Sequence, residues 1–178
     1  MREIRFKIHT SVDGFIGKPD GDVEWIFSTM SDDMRGWELD LVRDASIHMM
    51  GRVLYDDMVA HWPNSDDPFA APMNDIPKLV LSNTVTESDW KGTSFASGDV
   101  TEIVSSLKQD EGKPVLLHGG ATIARDLARN DLIDEWVLIQ HPVAVGEGLP
   151  IFDSPKDLRL INQQEFEAGA VALTYQRA

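Results

Sequence analysis

The chain opens on strict alternation. Between Arg2 and Thr10, Ile4, Phe6 and Ile8 fall on one side and Arg5, Lys7 and His9 on the other, the period of two that marks a strand. The stretch Ser11 to Asp22 is dense in Gly, Asp and Pro and is predicted to be a loop. It retains Phe15 and Ile16, so it folds back as a core cap or as a lid over a site. Ser31 precedes Asp32 and Asp33, and Met34, Trp37, Leu41, Val42 and Ala45 follow at helical spacing, giving a helix to about residue 45. Ile47 to Met50 is a short apolar strand that ends at Gly51-Arg52, and a helix is predicted over Val53 to Val59. His61 to Ile76 carries three prolines and reads as loop. Lys78 to Ser82 is a strand, Trp90 to Ser97 another, and Asp99-x-x-Glu102 is a capping pattern for a helix to about Gln109.

Val115, Leu116 and Leu117 form a run with the look of a strand buried on both faces. After Gly119-Gly120 the period changes, and Ile123, Leu127 and Leu132 recur at roughly helical spacing. Ile133 to Val145 predicts a long apolar strand. Leu158 to Phe166 and Ala170 to Gln176 flank Glu167-Ala-Gly169 as a closing hairpin. Strands and helices alternate first and a hairpin comes last, so the expected fold is α/β, a mostly parallel sheet with an antiparallel C-terminal edge, as one domain over residues 1–178.

In such sheets ligands bind past the carboxyl ends of the strands. Four polar or glycine-bearing strand ends share that rim here: His9, Gly51-Arg52, Ser82-Asn83-Thr84 and His118-Gly119-Gly120. The glycines after the fifth strand admit close approach, and the following helix start offers free N–H groups, with the Thr122 hydroxyl beside them. That is the chemistry of a pyrophosphate seat; a plain strand-to-helix turn is the other reading. Arg52 offers a planar donor fork for phosphate, or a surface pair with Asp56 or Asp57. Neither a P-loop nor G-x-G-x-x-G is present.

Composition narrows the function. A net charge of −14 argues against unspecific nucleic-acid binding. There is no cysteine, hence no disulfide, thiolate metal site or Cys nucleophile, which fits a cytoplasmic protein. No apolar run approaches a membrane span, and no secretory leader is visible at Met1.

Five motifs in order resemble the dihydrofolate-reductase-like superfamily, and within it the C-terminal reductase domain of the riboflavin-biosynthesis deaminase–reductase and its stand-alone relatives. They are Ser11-Val-Asp-Gly-Phe-Ile-Gly17, Met50-Gly-Arg-Val-Leu-Tyr55, Leu81-Ser-Asn-Thr84, Leu117-His-Gly-Gly-Ala-Thr122, and Leu132-Ile-Asp-Glu-Trp-Val137 with Gly146-Glu-Gly-Leu-Pro-Ile-Phe152. The resemblance implies a dihydrofolate-reductase-like sheet with helices on both faces. It also implies an NADPH-dependent reductase of a small heterocyclic or ribosylamino-pyrimidine-like substrate, of the 5-amino-6-(5-phosphoribosylamino)uracil reductase type. Gly119, Gly120, Ala121 and Thr122 would take the pyrophosphate. Gly51, Arg52, Ser82, Asn83 and Thr84 would hold the adenosine half and its 2′-phosphate, with Ile16 and Gly17 beside the nicotinamide.

Folate-reducing members carry a buried carboxylate on the first helix. On a helical wheel no acid here lies cleanly on the apolar side, and Asp33 is nearest, so Asp33 is the candidate proton donor or substrate anchor, against a helix-start charge. His118 either meets the nicotinamide or is a hydrogen-bonded strand-end histidine. The alternatives to the reductase are a non-catalytic NADP-binding protein and a dihydrofolate reductase. The apolar residues of the closing hairpin, with the family's habit of pairing there, predict a homodimer.

Overall fold

The computed structural model describes residues 1–178, apart from the side chain of Ala121. Eight strands form one sheet: β1 Ile4–Ser11, β2 Ile47–Gly51, β3 Lys78–Leu81, β4 Thr93–Ala96, β5 Val115–His118, β6 Glu135–His141, β7 Leu158–Glu165 and β8 Val171–Arg177. Their order is β4-β3-β2-β5-β1-β6-β8-β7. The first six run parallel; β8 is antiparallel to β6, and β7 antiparallel to β8. The antiparallel edge is the expected closing hairpin, turned at Gly169 with φ +87°.

Five α-helices cover the sheet: α1 Asp32–Arg43, α2 Arg52–His61, α3 Ala70–Asp75, α4 Val100–Gln109 and α5 Ala121–Arg129. Alternation along the strands sorts the core into two layers. Ile4, Phe6, Met49, Val115, Leu117 and Trp136 pack with Val104 of α4 and Leu127 of α5. Met50, Val80 and Leu116 point the other way, toward Val42 of α1, Tyr55 of α2 and Met73 of α3. Ile139 extends that second layer with Met34, Phe166 and Ala172. Both faces are therefore covered, as a parallel sheet requires.

Two expectations are corrected. The proline-rich segment 61–76 is not all loop, because Ala70–Asp75 coils into α3 and buries Pro72 and Met73. The apolar run from Ile133 to Val145 yields only seven residues of strand, Glu135–His141. Ile133 packs into the core without pairing, and the ladder with β1 ends at His141, beyond which the Val12 N–H donates once more to the Val143 carbonyl at 2.9 Å. The cap at Asp99 is as expected, its carboxylate accepting from the Thr101 and Glu102 N–H groups at 2.7 and 3.2 Å.

Candidate active site

The carboxyl ends of the parallel strands make one rim, and two hollows open there. The first, a cleft of about 280 Å³, is lined by Arg52, Ser82, Asn83, Thr84, Gly98 and Ile123, among others. It is a backbone-built site. Ser82 Oγ accepts from the N–H groups of Thr84 (3.2 Å) and Val85 (2.9 Å), which folds the chain sharply after β3. Asn83 Oδ1 accepts from the Gly98 N–H at 3.2 Å and ties that turn to the one after β4. Gly119 and Gly120 have φ of +58° and +84°, a pair of left-handed positions that costs non-glycine residues about 1–2 kcal/mol each. They turn the chain into α5, whose N-terminus has no side-chain cap among the described residues, so its first N–H groups remain available for an anion. Thr122 is exposed there; the side chain of Ala121 lies outside the described residues. A Cβ at Gly51 would come within 2.8 Å of Ile123 Cδ1, which explains a residue without one at the head of α2. Arg52 lines the cleft while its guanidinium rests on Asp56 at 2.6 Å, a half-exposed pair one helical turn away.

Ile16 and Gly17 do not sit in a free lid. The Ile16 N–H donates to the Leu149 carbonyl and the Leu149 N–H to the Gly17 carbonyl, both at 2.9 Å. Phe15 bridges Pro150. A Cβ at Gly148 would lie 2.2 Å from the Gly17 oxygen, so glycine is required for the two segments to cross. The loop is a fixed wall, with Ile16 packed on the core.

The second hollow, about 380 Å³, lies on the α1–α2–α3 side. Lys7, Met30, Arg35, Glu38, Met58, Phe69 and His118 line it with others. Helix α2 supplies residues to both hollows, Arg52 to one and Met58 and His61 to the other. Glu38 is the carboxylate that the helical wheel did not single out. It is 6% exposed and pairs with Lys7, and its Oε1 lies 3.4 Å from His9 Nε2. Burial resists its ionisation, but the Lys7 ammonium and His9 outweigh that and hold it well below the usual carboxylate range. The signal was present twice. Met34, Glu38 and Val42 are the buried residues of α1 and follow one another at i, i+4, i+8. And β1 is central, so its polar side faces α1 rather than water. Arg5 there pairs with Glu135 at 2.5 Å and with Asp44 at 3.3 Å, and Lys7 with Glu38.

The candidate Asp33 stands elsewhere. It is exposed, and its oxygens accept from the Met34 N–H (2.9 Å) and the Glu167 N–H (3.0 Å). Hydrogen bonding to Ser31 leads the causes that lower its pKa. It joins the start of α1 to the β7–β8 turn and does not reach the cavity, because the helix turns it away from the stripe that carries Glu38. His118 does line the cavity. It is also a strand-end histidine with a partner, its Nε2 lying 2.9 Å from His48 Nδ1, while His48 Nε2 lies 3.3 Å from the Pro72 carbonyl. That carbonyl only accepts, so His48 carries its proton on Nε2 and accepts from His118 at Nδ1. Burial, then neighbouring positive charge, pushes His118 well below its ordinary pKa; burial brings His48 to about 4.

The sheet order, the antiparallel edge and the two hollows define a dihydrofolate-reductase-like domain. The chain belongs to the RibD C-terminal domain family, whose pattern matches residues 2–172. YyaP, an uncharacterized protein of Bacillus subtilis (strain 168), is 31% identical over 183 residues, covering 98% of this chain and 95% of that one. The riboflavin biosynthesis protein RibD of Corynebacterium ammoniagenes is 25% identical over 85% of this chain, which spans only 46% of that longer protein. A solved structure from Shewanella sp. PV-4, of a protein assigned provisionally to riboflavin biosynthesis, superposes with a TM-score of 0.78 at 26% identity, covering 100% of this chain and 99% of that one.

Proposed function

We propose that this chain is an NADPH-dependent reductase of a small heterocyclic substrate of the ribosylamino-pyrimidine kind. The observation that carries the reading is Glu38, a buried, ionised carboxylate paired with Lys7 on the wall of an open cavity, one helix away from a glycine-opened helix start. A nicotinamide cofactor, when bound, supplies hydride. The residues of the cleft fit such a group. The uncapped start of α5, Gly119 and Gly120 suit a pyrophosphate. Arg52, released from Asp56, suits a 2′-phosphate, and the turn built by Ser82, Asn83 and Thr84 suits the adenosine. Gly51 keeps the junction narrow. His118 lines the cavity and would meet the nicotinamide there, and Ile16 and Gly17 of the loop after β1 would lie beside it, as the family resemblance implies. In the cavity, Glu38 accepts N–H donors of a heterocycle, and Lys7 keeps it ionised and aligned; Met30, Met58 and Phe69 exclude water.

Glu38 also removes the main support for a non-catalytic nucleotide-binding protein, which was the missing helix carboxylate. Because such a carboxylate anchors pterins in folate-reducing relatives, a pterin remains a second substrate class. The test is a thermal-shift panel of NADPH, NADH, dihydrofolate and 5-amino-6-ribosylamino-uracil compounds, followed by NADPH oxidation with each ligand that binds. A ligand at 100 times its Kd adds about 2.7 kcal/mol. No shift with millimolar NADPH would end the reductase reading, and a shift without turnover on any substrate would favour the non-catalytic one.

A homodimer through the closing hairpin is part of the proposal. Leu160 and Ile161 are 45% and 40% exposed on β7, beside a hollow lined by Trp37, Leu41, Val137 and Thr174. Light scattering should give twice the 19.9 kDa chain mass, and Ile161→Lys should return it to the monomer value. A monomeric wild-type protein at low and high salt would refute the pairing.

A further inference from the structure

Glu38 is connected on its far side to a row of side chains that the proposed reduction does not use. His9 Nδ1 lies 2.9 Å from His141 Nε2, and His141 Nδ1 lies 2.6 Å from Thr29 Oγ. His141 is fully buried. Thr29 closes the 3-10 turn Glu24–Thr29 and is half-buried at the surface; Phe27 in the same turn is 67% exposed. The rings of His9 and His141 are 5.1 Å apart, and Trp25 packs edge-on against His141 at 5.6 Å.

The order of donors in this row is fixed from one end. An ionised carboxylate only accepts, so the His9 nitrogen that faces Glu38, Nε2, carries the proton. His9 Nδ1 then accepts from His141 Nε2–H, and His141 Nδ1 accepts from the Thr29 hydroxyl. Two hydrogen bonds and the longer 3.4 Å contact of His9 with Glu38 point the same way, from the surface turn toward the cavity. Burial keeps both imidazoles neutral at pH 7, lowering His9 and bringing His141 to about 4. A neutral ring with one nitrogen donating and the other accepting passes a proton on.

We propose that Thr29, His141 and His9 form a proton path from the surface to Glu38, supplying the proton that must accompany hydride while bound substrate fills the cavity. The proposal rests on the reductase reading for its use, but not for its existence. Thr29 passes its hydroxyl proton to His141 Nδ1 as it takes one from water. His141 releases its Nε2 proton to His9 Nδ1, His9 releases its own to Glu38, and Glu38 hands it to the substrate. Only N–H and O–H bonds break and form, and one proton crosses. Both rings are left protonated on Nδ1; when product leaves and water enters the cavity, that water returns a proton to the surface by the reverse shift and departs as hydroxide, so the row lends the proton while substrate is bound and the cavity water replaces it.

The experiment is histidine ring NMR on the intact, ligand-free protein labelled with nitrogen-15 histidine, with ring N–H exchange measured by saturation transfer. His9 and His141 are expected as neutral Nε2–H tautomers at pH 7. Thr29→Val keeps the shape and removes the hydroxyl, and it should slow exchange at His141 Nε2–H at least tenfold with tautomers and melting temperature kept; Thr29→Ser should restore the rate. A proton on Nδ1 of either ring in the wild type overturns the path, and this reading needs no variant to fold. Slowing of less than tenfold in a folded Thr29→Val protein also overturns it. Titration of the same samples with NADPH keeps the two ideas apart, since failure to bind removes the reductase and leaves the exchange result standing.

Discussion

The two hollows on the rim are built by opposite means. The cleft is made mostly of turns: those after β3 and β4, tied by the Asn83–Gly98 bond, beside the glycine-opened start of α5 that contributes Ile123. The cavity is made of side chains that arrive from far apart, with Lys7 on β1, Glu38 on α1, Met58 on α2, Met73 on α3 and His118 on β5, and Glu38 is backed by His9 and His141. A backbone-built site can be disturbed in binding without much loss of stability. A site made of buried charges cannot, because its members hold each other in place.

The largest expected effect of a single substitution attacks the cavity. Lys7→Met leaves Glu38 buried without its cation and should cost about 3–5 kcal/mol of stability, read from urea unfolding. A loss under about 1 kcal/mol would mean that water reaches the pair and that it is not the buried pair described. Next, Arg52→Ala should leave stability within about 0.5 kcal/mol, since its partner Asp56 is half-exposed. It should weaken NADPH by about 1.5–3 kcal/mol and leave NADH nearly unchanged in a fluorescence titration. Equal loss for both cofactors would move the 2′-phosphate elsewhere.

The third prediction is a pH profile. His48 and His141 titrate at about 4 in the folded protein, against 6.5 for an unperturbed ring. Between those values the unfolded chain binds protons that the folded one refuses, so stability falls as pH drops from 6.5 to 4. The slope is up to about 1.4 kcal/mol per pH unit for each ring, and the loss is absent above pH 7. A flat profile across that window would show both rings open to solvent. The smallest effect belongs to the cleft. Gly120→Ala forces a side chain into φ +84° and should cost about 1 kcal/mol while weakening NADPH, with the Lys7–Glu38 cavity intact.

The same contrast explains what could be read from the chain. The sheet, its antiparallel edge and the turns of the cleft are local patterns, and Gly119-Gly120 with Ser82-Asn83-Thr84 announced their positions directly. The cavity was hidden because a polar residue on an alternating strand looks solvated. Lys7 and His9 face inward only because β5 and β6 flank β1 and α1 covers it, facts of topology. Glu38 was set aside in favour of Asp33 because the wheel was anchored on Trp37, while the buried stripe runs through Met34 and Val42. The short α3 was masked by Pro68 and Pro72, although a proline early in a helix is well tolerated.

The position of β1 has a consequence for how the chain is made. Of the eight strands it is the first to leave the ribosome, and both of its neighbours are late: Ile4 pairs with Val115 and Phe6 with Trp136. Its charged side must wait with its apolar side, exposed, until more than a hundred further residues have been synthesised. Pairings of such long span close slowly. Chains halted before β6 should therefore be the species that a chaperone or a protease sees, with Ile4, Phe6 and Ile8 as the segment it grips.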